Sequence, residues 1–326
     1  MSRRESRPQP SSSALALPER ELEQLMGGAM AYVAACRAPR TLAEYAGQWR
    51  RFERWARERG RASLPCAPDT LALYLSQLAQ RLKVASISMA LSAIAHRHTT
   101  AGLEAPTRHP AVLQLWSGIR RSLGTAQRRV APLVTDELRA ISRILPRTLQ
   151  GKRDRALLAI GLAGALRRSE LVALELGDVR FVTGGIELEV RRSKTDQEAR
   201  GVRIGIARGA DPLTCPVRAL QAWLQAARLR RGRIFRRVLR DGRVGESLSG
   251  ASVALIVKRS TRRAAIAGDY SGHSLRAGLA TSAARAGKTD RRIMEQGRWA
   301  GRSMVDRYVR EARLLDTGNA SADIGL

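Results

Sequence analysis

Apolar positions recur at helical spacing through the first third of the chain. In "RTLAEYAGQWRRFERWARERG", Leu42, Tyr45, Trp49, Phe52 and Trp55 fall on one stripe, and Gly60 marks a stop. Aromatics on such a stripe pack a core more often than they stack on nucleobases. "APDTLALYLSQLAQRL" predicts a second helix capped by Asp69. "SISMALSAIAHRHTTAG" predicts a third, with Ile87, Leu91 and Ile94 inward, and "HPAVLQLWSGIRRSLG" a fourth. Short helices on a small core predict a compact bundle over residues 38–124. Residues 1–37 read as a mobile tail and lead-in.

The pattern changes twice further on. "GTAQRRVAPLV" mixes Gly, polar residues and Pro, which predicts a linker over residues 125–134 with Arg128 and Arg129 available to phosphates. Residues 135–326 form a second region. It opens with helices in "TDELRAISRIL", capped by Thr135, and in "GKRDRALLAIGLAGALRRSELVALEL". One stretch has strand character: "DVRFVTGGIELEVRRSKTDQEARGVRIGI" carries alternating runs at 186–190 and 202–206, separated by turn residues. Helices then resume to the end. The expected fold class is mainly α with a small antiparallel β-sheet.

Composition narrows the function. Lys and Arg total 58 against 29 acidic residues, a net charge of +29 over 326 residues. Such a surplus, spread through both regions, favours a polyanionic partner through counterion release and steering. No apolar run is long enough to span a membrane. Cys36, Cys66 and Cys215 are too widely spaced for a disulfide framework or a metal pair, which suits a reducing, cytoplasmic setting. The first residues lack an apolar stretch of signal-peptide length.

Several residues have chemistry beyond their fold role. Arg167 lies in "GALRRSEL", with Glu170 three residues on, on the same helical face and able to hold the guanidinium in a bidentate pair. Lys194 lies in "RRSKTDQ", at a strand–strand turn. His273 and Arg276 lie three apart at the start of a helix dense in small residues, "SGHSLRAGLATSAARAG". Trp299 sits in "GRWAG" and Tyr308 in "SMVDRYVRE". Each alone has an ordinary explanation: a surface ion pair, a solvated lysine, a satisfied core histidine, a packed aromatic.

Taken in order, "ALRRSEL", the turn lysine, "HSLR", "GRW" and "DRYVRE" resemble the tyrosine recombinase (phage integrase) family, and within it the Cre-like and integron-like members. The resemblance spans nearly the whole chain, down to "TLAEYAGQWRRFERWA" and "WSGIRRSLG" in the N-terminal bundle. It implies a helical, SAM-like core-binding domain over 38–124 and a catalytic domain over 135–326. It implies catalytic arginines at Arg167 and Arg276, a lysine at Lys194, a histidine at His273 and a nucleophile at Tyr308, with Glu170 in support. Many family members carry His where this chain has Trp299. An indole N–H donates one hydrogen bond but exchanges no proton, which implies a packing and phosphate-orienting role.

The implied chemistry is attack by Tyr308 on a phosphodiester, giving a 3′-phosphotyrosyl bond and a free 5′-hydroxyl. Arginine forks match the phosphate oxygens on which charge develops. The ester keeps the energy of the phosphodiester, so neither metal nor ATP is expected. Lys194 is the candidate acid for the 5′-oxygen. The implied partners are double-stranded DNA with a specific recombination site and three further copies of the chain, four protomers exchanging strands on two sites through a four-way junction. Base reading is expected from helices near Ser86 and near Lys258 and Arg259, with phosphate contact the more common use of the latter two. The C-terminal residues 316–326, beyond Leu314 and Leu315, are expected to dock on a neighbouring protomer. A type IB topoisomerase-like nicking-closing enzyme and a catalytically silent DNA-binding relative are the alternatives.

Overall fold

A computed structural model describes residues 20–21, 24–28, 32, 36–125, 130–191 and 201–314. The chain divides into two compact units, residues 1–127 and 128–326. Four of the expected features fall outside the described residues: the N-terminal tail up to residue 19, Arg128 with Arg129, Lys194, and the C-terminal segment 316–326.

The first unit contains four α-helices among its described residues from Pro39 onward: α1 (Pro39–Arg57), α2 (Pro68–Ala79), α3 (Val84–Thr100) and α4 (Pro110–Leu123). Proline opens α1, α2 and α4, where its missing N–H goes unused and its fixed φ suits the first turn. Asp69 does not cap α2: Ala67 is the N-cap, and Asp69 sits in the first turn, accepting from Thr70 N at 2.7 Å and from Arg61. Phe52 and Trp55 are buried with Tyr74, Leu75, Ile87 and Ile94, so the aromatic stripe of α1 is core. His98 is a satisfied core histidine. Its Nε2 accepts from Cys66 N at 2.9 Å, which leaves Nδ1 to donate to the Ile94 carbonyl at 2.8 Å.

The second unit is built around α6 (Leu149–Ala163), buried on nearly all sides and packed by α5 (Thr135–Ile144), α8 (Pro216–Ala226) and α10 (Gly272–Arg285). Thr135 is the first helical residue of α5 rather than its cap; Glu137 closes the start by accepting from Val134 N. A three-stranded antiparallel sheet follows, β1 (Val179–Val182), β2 (Gly185–Val190) and β3 (Val202–Ala207). Ile186 pairs with Ile206 and Leu188 with Ile204, so one face of the alternating pattern meets the core.

Two features depart from the sequence reading. The long helix expected across "GKRDRALLAIGLAGALRRSEL" breaks after Ala163 and resumes as α7 (Arg168–Ala173). Ala165 takes a positive φ of 45° at the break. A second hairpin, β4 (Arg236–Val238) with β5 (Val244–Ser247), lies where helix was expected. Its strands are short, β4 mostly arginine and β5 with a single apolar side chain, so the apolar alternation is faint; the legible signal was Asp241–Gly242 at the turn. Three helices complete the unit besides α10: α9 (Gly250–Arg263), α11 (Asp290–Gly297) and α12 (Ser303–Ala312).

Small residues in α10 allow backbone to approach it. Leu133 N donates to the Ser274 carbonyl at 2.9 Å and Ala131 N to Asp269 O at 2.8 Å. A Cβ on Gly278 would stand 1.8 Å from the Leu133 carbonyl oxygen. Glycine to alanine in a helix interior ordinarily stabilises by roughly 0.5–1 kcal/mol. Here the sign is expected to reverse, with Gly278→Ala costing roughly 1–3 kcal/mol by forcing the backbone apart. Equilibrium unfolding in denaturant checks this; a stabilised variant would contradict the packing.

Candidate active site

The break between α6 and α7 creates the site. Arg167 is the N-cap of α7, and Glu170 is the third residue of that helix. Glu170 does not grip the guanidinium with both oxygens, as expected from sequence. Oε1 accepts from Arg167 Nη1 at 2.7 Å, while Oε2 accepts from Arg167 backbone N at 3.0 Å. The carboxylate therefore caps the helix and holds the side chain together. It is buried, at 3% exposure.

Arg276, on the second turn of α10, is 2% exposed. Its Nη1 donates to the Ala165 carbonyl at 2.7 Å, an oxygen freed by the break in the helix. Its guanidinium carbon lies 4.1 Å from the centroid of the Trp299 ring. That ring can fold back only because residue 297 is glycine, where a Cβ would stand 1.8 Å from the indole. Nη2 of Arg276 is buried and has no hydrogen-bond partner among the described residues. Burial, then the charges of Arg167 and Arg298, pull the Arg276 pKa down to about 9. It stays charged at neutral pH, in a place where a cation is short of an anion.

His273 lies at the first turn of α10, whose start is capped by Ser271 Oγ accepting from His273 N at 3.1 Å. Gly272 leaves room for the Arg168 side chain, which a Cβ would strike at 2.3 Å. His273 keeps an exposed edge. Even so, partial burial of the ring, followed by the charges of Arg276, Arg307, Arg167 and Arg168, holds its pKa below the ordinary histidine value. The imidazole is therefore neutral at neutral pH. His273 Nε2 lies 3.1 Å from Tyr308 Oη. Arg307 Nη2 donates to the same oxygen at 2.9 Å, and its guanidinium lies over the Tyr308 ring. In the tautomer that leaves Nε2 unprotonated, the phenolic proton is directed at His273 Nε2.

The fold thus brings Arg167, Glu170, His273, Arg276, Trp299 and Tyr308 to one place from α7, α10, the α11 end and α12. Lys194 falls between β2 and β3, outside the described residues. Two contributors were missed by sequence reasoning. Arg298 donates Nη2 to Glu170 Oε2 at 2.8 Å; its sequence signal was a non-glycine residue at a helix end. Arg307 adjoins Tyr308 in sequence, and neighbouring helix positions do not ordinarily face each other, so spacing held no hint.

The DNA-contact candidates are scattered. Ser86 is exposed on the first turn of α3, and Lys258 is exposed on α9. Arg259 is part-exposed but engaged, with Nη2 donating at 2.7 Å to the buried Asp154, which also pairs with Arg153. The exposed stripe of α9 is instead Ala251, Leu255, Lys258 and Arg262.

Residues 132–314 match the phage integrase family. Over 285 residues the chain is 36% identical to the integrase/recombinase XerD homolog of Selenomonas ruminantium, covering 86% of this chain and 84% of that protein. It is 26% identical over 301 residues to the recombinase Cre of Escherichia phage P1, covering 83% and 86% respectively. In fold it is similar to a lambda integrase dimer bound to a COC′ core site, with a TM-score of 0.58 at 19% identity over 89% of this chain and 75% of that one. The chain belongs to the phage integrase family and is a tyrosine recombinase.

Proposed function

We propose that this protein cuts and rejoins duplex DNA at a specific site through a 3′-phosphotyrosyl intermediate on Tyr308. One observation carries the reading. A tyrosine hydroxyl is hydrogen-bonded to a neutral histidine beside a buried arginine, Arg276, that has an N–H unpartnered among the described residues and lies in the field of Arg167. Such a site suits an anion beside the nucleophile.

In the proposed step, Tyr308 Oη attacks the scissile phosphorus in line. Its proton passes to His273 Nε2, and the P–O bond to the 5′-oxygen breaks as the tyrosyl ester forms. Negative charge on the non-bridging oxygens is met by Arg167 and Arg276. Lys194 is the proposed donor to the departing 5′-oxygen. The ester keeps the phosphodiester energy, so the released 5′-hydroxyl, or that of a partner strand, reverses the step without ATP. Four protomers on two sites, a four-way junction and docking of residues 316–326 on a neighbour complete the proposal by analogy with the family.

The test is covalent trapping. The purified protein is incubated with fragmented source DNA, denatured, and the DNA attached to Tyr308 is sequenced. A recurrent site linked through its 3′ end supports the reading. Two copies of that site on a plasmid then separate recombination, giving junctions and exchanged products, from nicking and closing, giving relaxed circles alone. Absence of any adduct would overturn it.

A pH dependence follows. His273 must be neutral to accept the phenolic proton, and its pKa lies below 6.5 in the free protein. Cleavage at limiting protein, which reports the free enzyme, is expected to fall as pH drops, with the midpoint of that acid limb below the ordinary histidine value. His273→Asn is expected to erase that acid limb along with most of the rate. An acid limb centred above the ordinary histidine value would rule His273 out as acceptor.

A further inference from the structure

Arg298 stands where the backbone favours glycine. It ends α11 in the left-handed conformation, with φ 56° and ψ 47°. Glycine enters this region freely, while an L side chain meets its own carbonyl. A residue held there against that cost calls for a compensating interaction, and such sites cluster where function needs them. The compensation is in the side chain, which is only 7% exposed. Nη2 donates to Glu170 Oε2 at 2.8 Å, and Nη1 to the carbonyls of Gly164 at 3.2 Å and Gln296 at 3.3 Å. Nη2 also reaches the Ala165 carbonyl at 3.4 Å.

Two of those partners are anchors of the phosphate site. Glu170 holds Arg167, and the Ala165 carbonyl holds Arg276. One guanidinium from the end of α11 therefore touches the supports of both arginines. The charge count points the same way. Arg167 and Glu170 alone form a closed ion pair, and a phosphate approaching Arg167 meets the carboxylate behind it. With Arg298 on the other oxygen, the carboxylate is neutralised twice over. Around Glu170, the guanidiniums of Arg167, Arg276 and Arg298 less one carboxylate leave two positive charges, and loss of Arg298 removes one of them; Arg168 and Arg307 add their charges nearer His273.

We infer that Arg298 is a positioning residue of the phosphate site: it neutralises Glu170 and clamps the Glu170 and Ala165 anchors, so that the charge of Arg167 and Arg276 is left for the scissile phosphate. This rests on the phosphoryl-transfer reading above. The Arg298 side chain is only 7% exposed and is taken up by Glu170 and backbone carbonyls, so its effect is expected to track the charge of the phosphate and not DNA binding.

The experiment compares covalent adduct formation in single turnover on two suicide substrates carrying the trapped site. One has an ordinary scissile phosphodiester. The other has a methylphosphonate there, which lacks one negative charge. Arg298→Gly suits the backbone, so a loss in that variant reports the side chain. It is expected to slow cleavage of the phosphodiester on the order of tenfold or more, less than loss of a donor that contacts the phosphate. The ratio of wild-type to variant rate is expected to shrink on the methylphosphonate. Removing the stranded carboxylate, in Arg298→Gly with Glu170→Gln, is expected to recover rate relative to the single variant. Arg298→Lys keeps a cation without the fork and guards against a glycine variant that fails to fold; it is expected to be slowed on the phosphodiester and relieved on the methylphosphonate.

An undiminished phosphodiester rate would overturn the inference. So would equal losses on both substrates with no recovery in the double variant, which is the behaviour of a purely structural residue. Wild-type adduct on the phosphodiester is the internal check. Its absence would remove the proposed chemistry as a whole, whereas its presence with substrate-blind variants would remove the role of Arg298 alone.

Discussion

Tyr308→Phe is expected to abolish covalent protein–DNA adducts and leave site-specific DNA binding nearly unchanged. The substitution removes one oxygen, which contacts His273 Nε2 and Arg307 Nη2, and keeps a ring that is 7% exposed. The ring packs in the small cluster of α10, α11 and α12 with Ala277, Ala280, Val305 and Val309. Both hydrogen-bond partners lie on the cleft side, so stability is expected to change by about 1 kcal/mol or less. Denaturing gels on a nicked suicide substrate read the adduct, and gel shifts read binding. A 3′-linked adduct persisting in the variant would mean that another group attacks.

Arg276 is expected to show catalysis and stability moving apart. Arg276→Met is expected to slow adduct formation by roughly 10²–10³-fold or more, the cost of losing one preorganised donor to a developing oxyanion. Its melting temperature is expected to equal or exceed that of the wild type. The guanidinium is desolvated and lies in the field of two further cations, Arg167 and Arg298, and one of its terminal nitrogens is unpartnered. A methionine of similar reach lifts that repulsion and still packs on the Trp299 ring. Arg276→Lys is expected to rescue cleavage poorly, because an ammonium cannot reach the Ala165 carbonyl and a phosphate oxygen together with fork geometry. A destabilised methionine variant would mean that the bonds to Ala165 and the stack on Trp299 outweigh the crowding of charge.

Electrostatic crowding is also why the site could be read from sequence only in part. The residue types with phosphate chemistry were visible, because Arg167, His273, Arg276 and Tyr308 sit in short motifs whose order carries the family resemblance. The forces on them were not. Glu170 looked like a bidentate partner of Arg167 on one helix face. The helix breaks before Arg167, and the carboxylate divides its oxygens between a helix start, Arg167 and Arg298. Arg259 was expected to meet DNA, and its ion pair with Asp154, more than a hundred positions earlier in the chain, had no local signal.

Local pattern determined much of this protein. The stripe of Phe52 and Trp55, the inward Ile87 and Ile94, and the alternation that pairs Ile186 with Ile206 and Leu188 with Ile204 each follow from a repeat of a few residues. Burying an apolar face is decided by spacing along one element, so the sequence by itself was enough. The β4–β5 hairpin, the break at Ala165 and the left-handed Arg298 were decided by the tertiary structure. Each is locally unfavoured or weakly signalled, and each is stabilised by contacts from distant segments: Arg153 Nη1 donating to the Arg236 carbonyl, Arg276 meeting the Ala165 carbonyl, Arg298 meeting Glu170. Such contacts have no period in the sequence. They exist because α7, α10, α11 and α12 converge on one cleft, where the energy of a buried cation depends on every charge around it and not on its own neighbours in the chain.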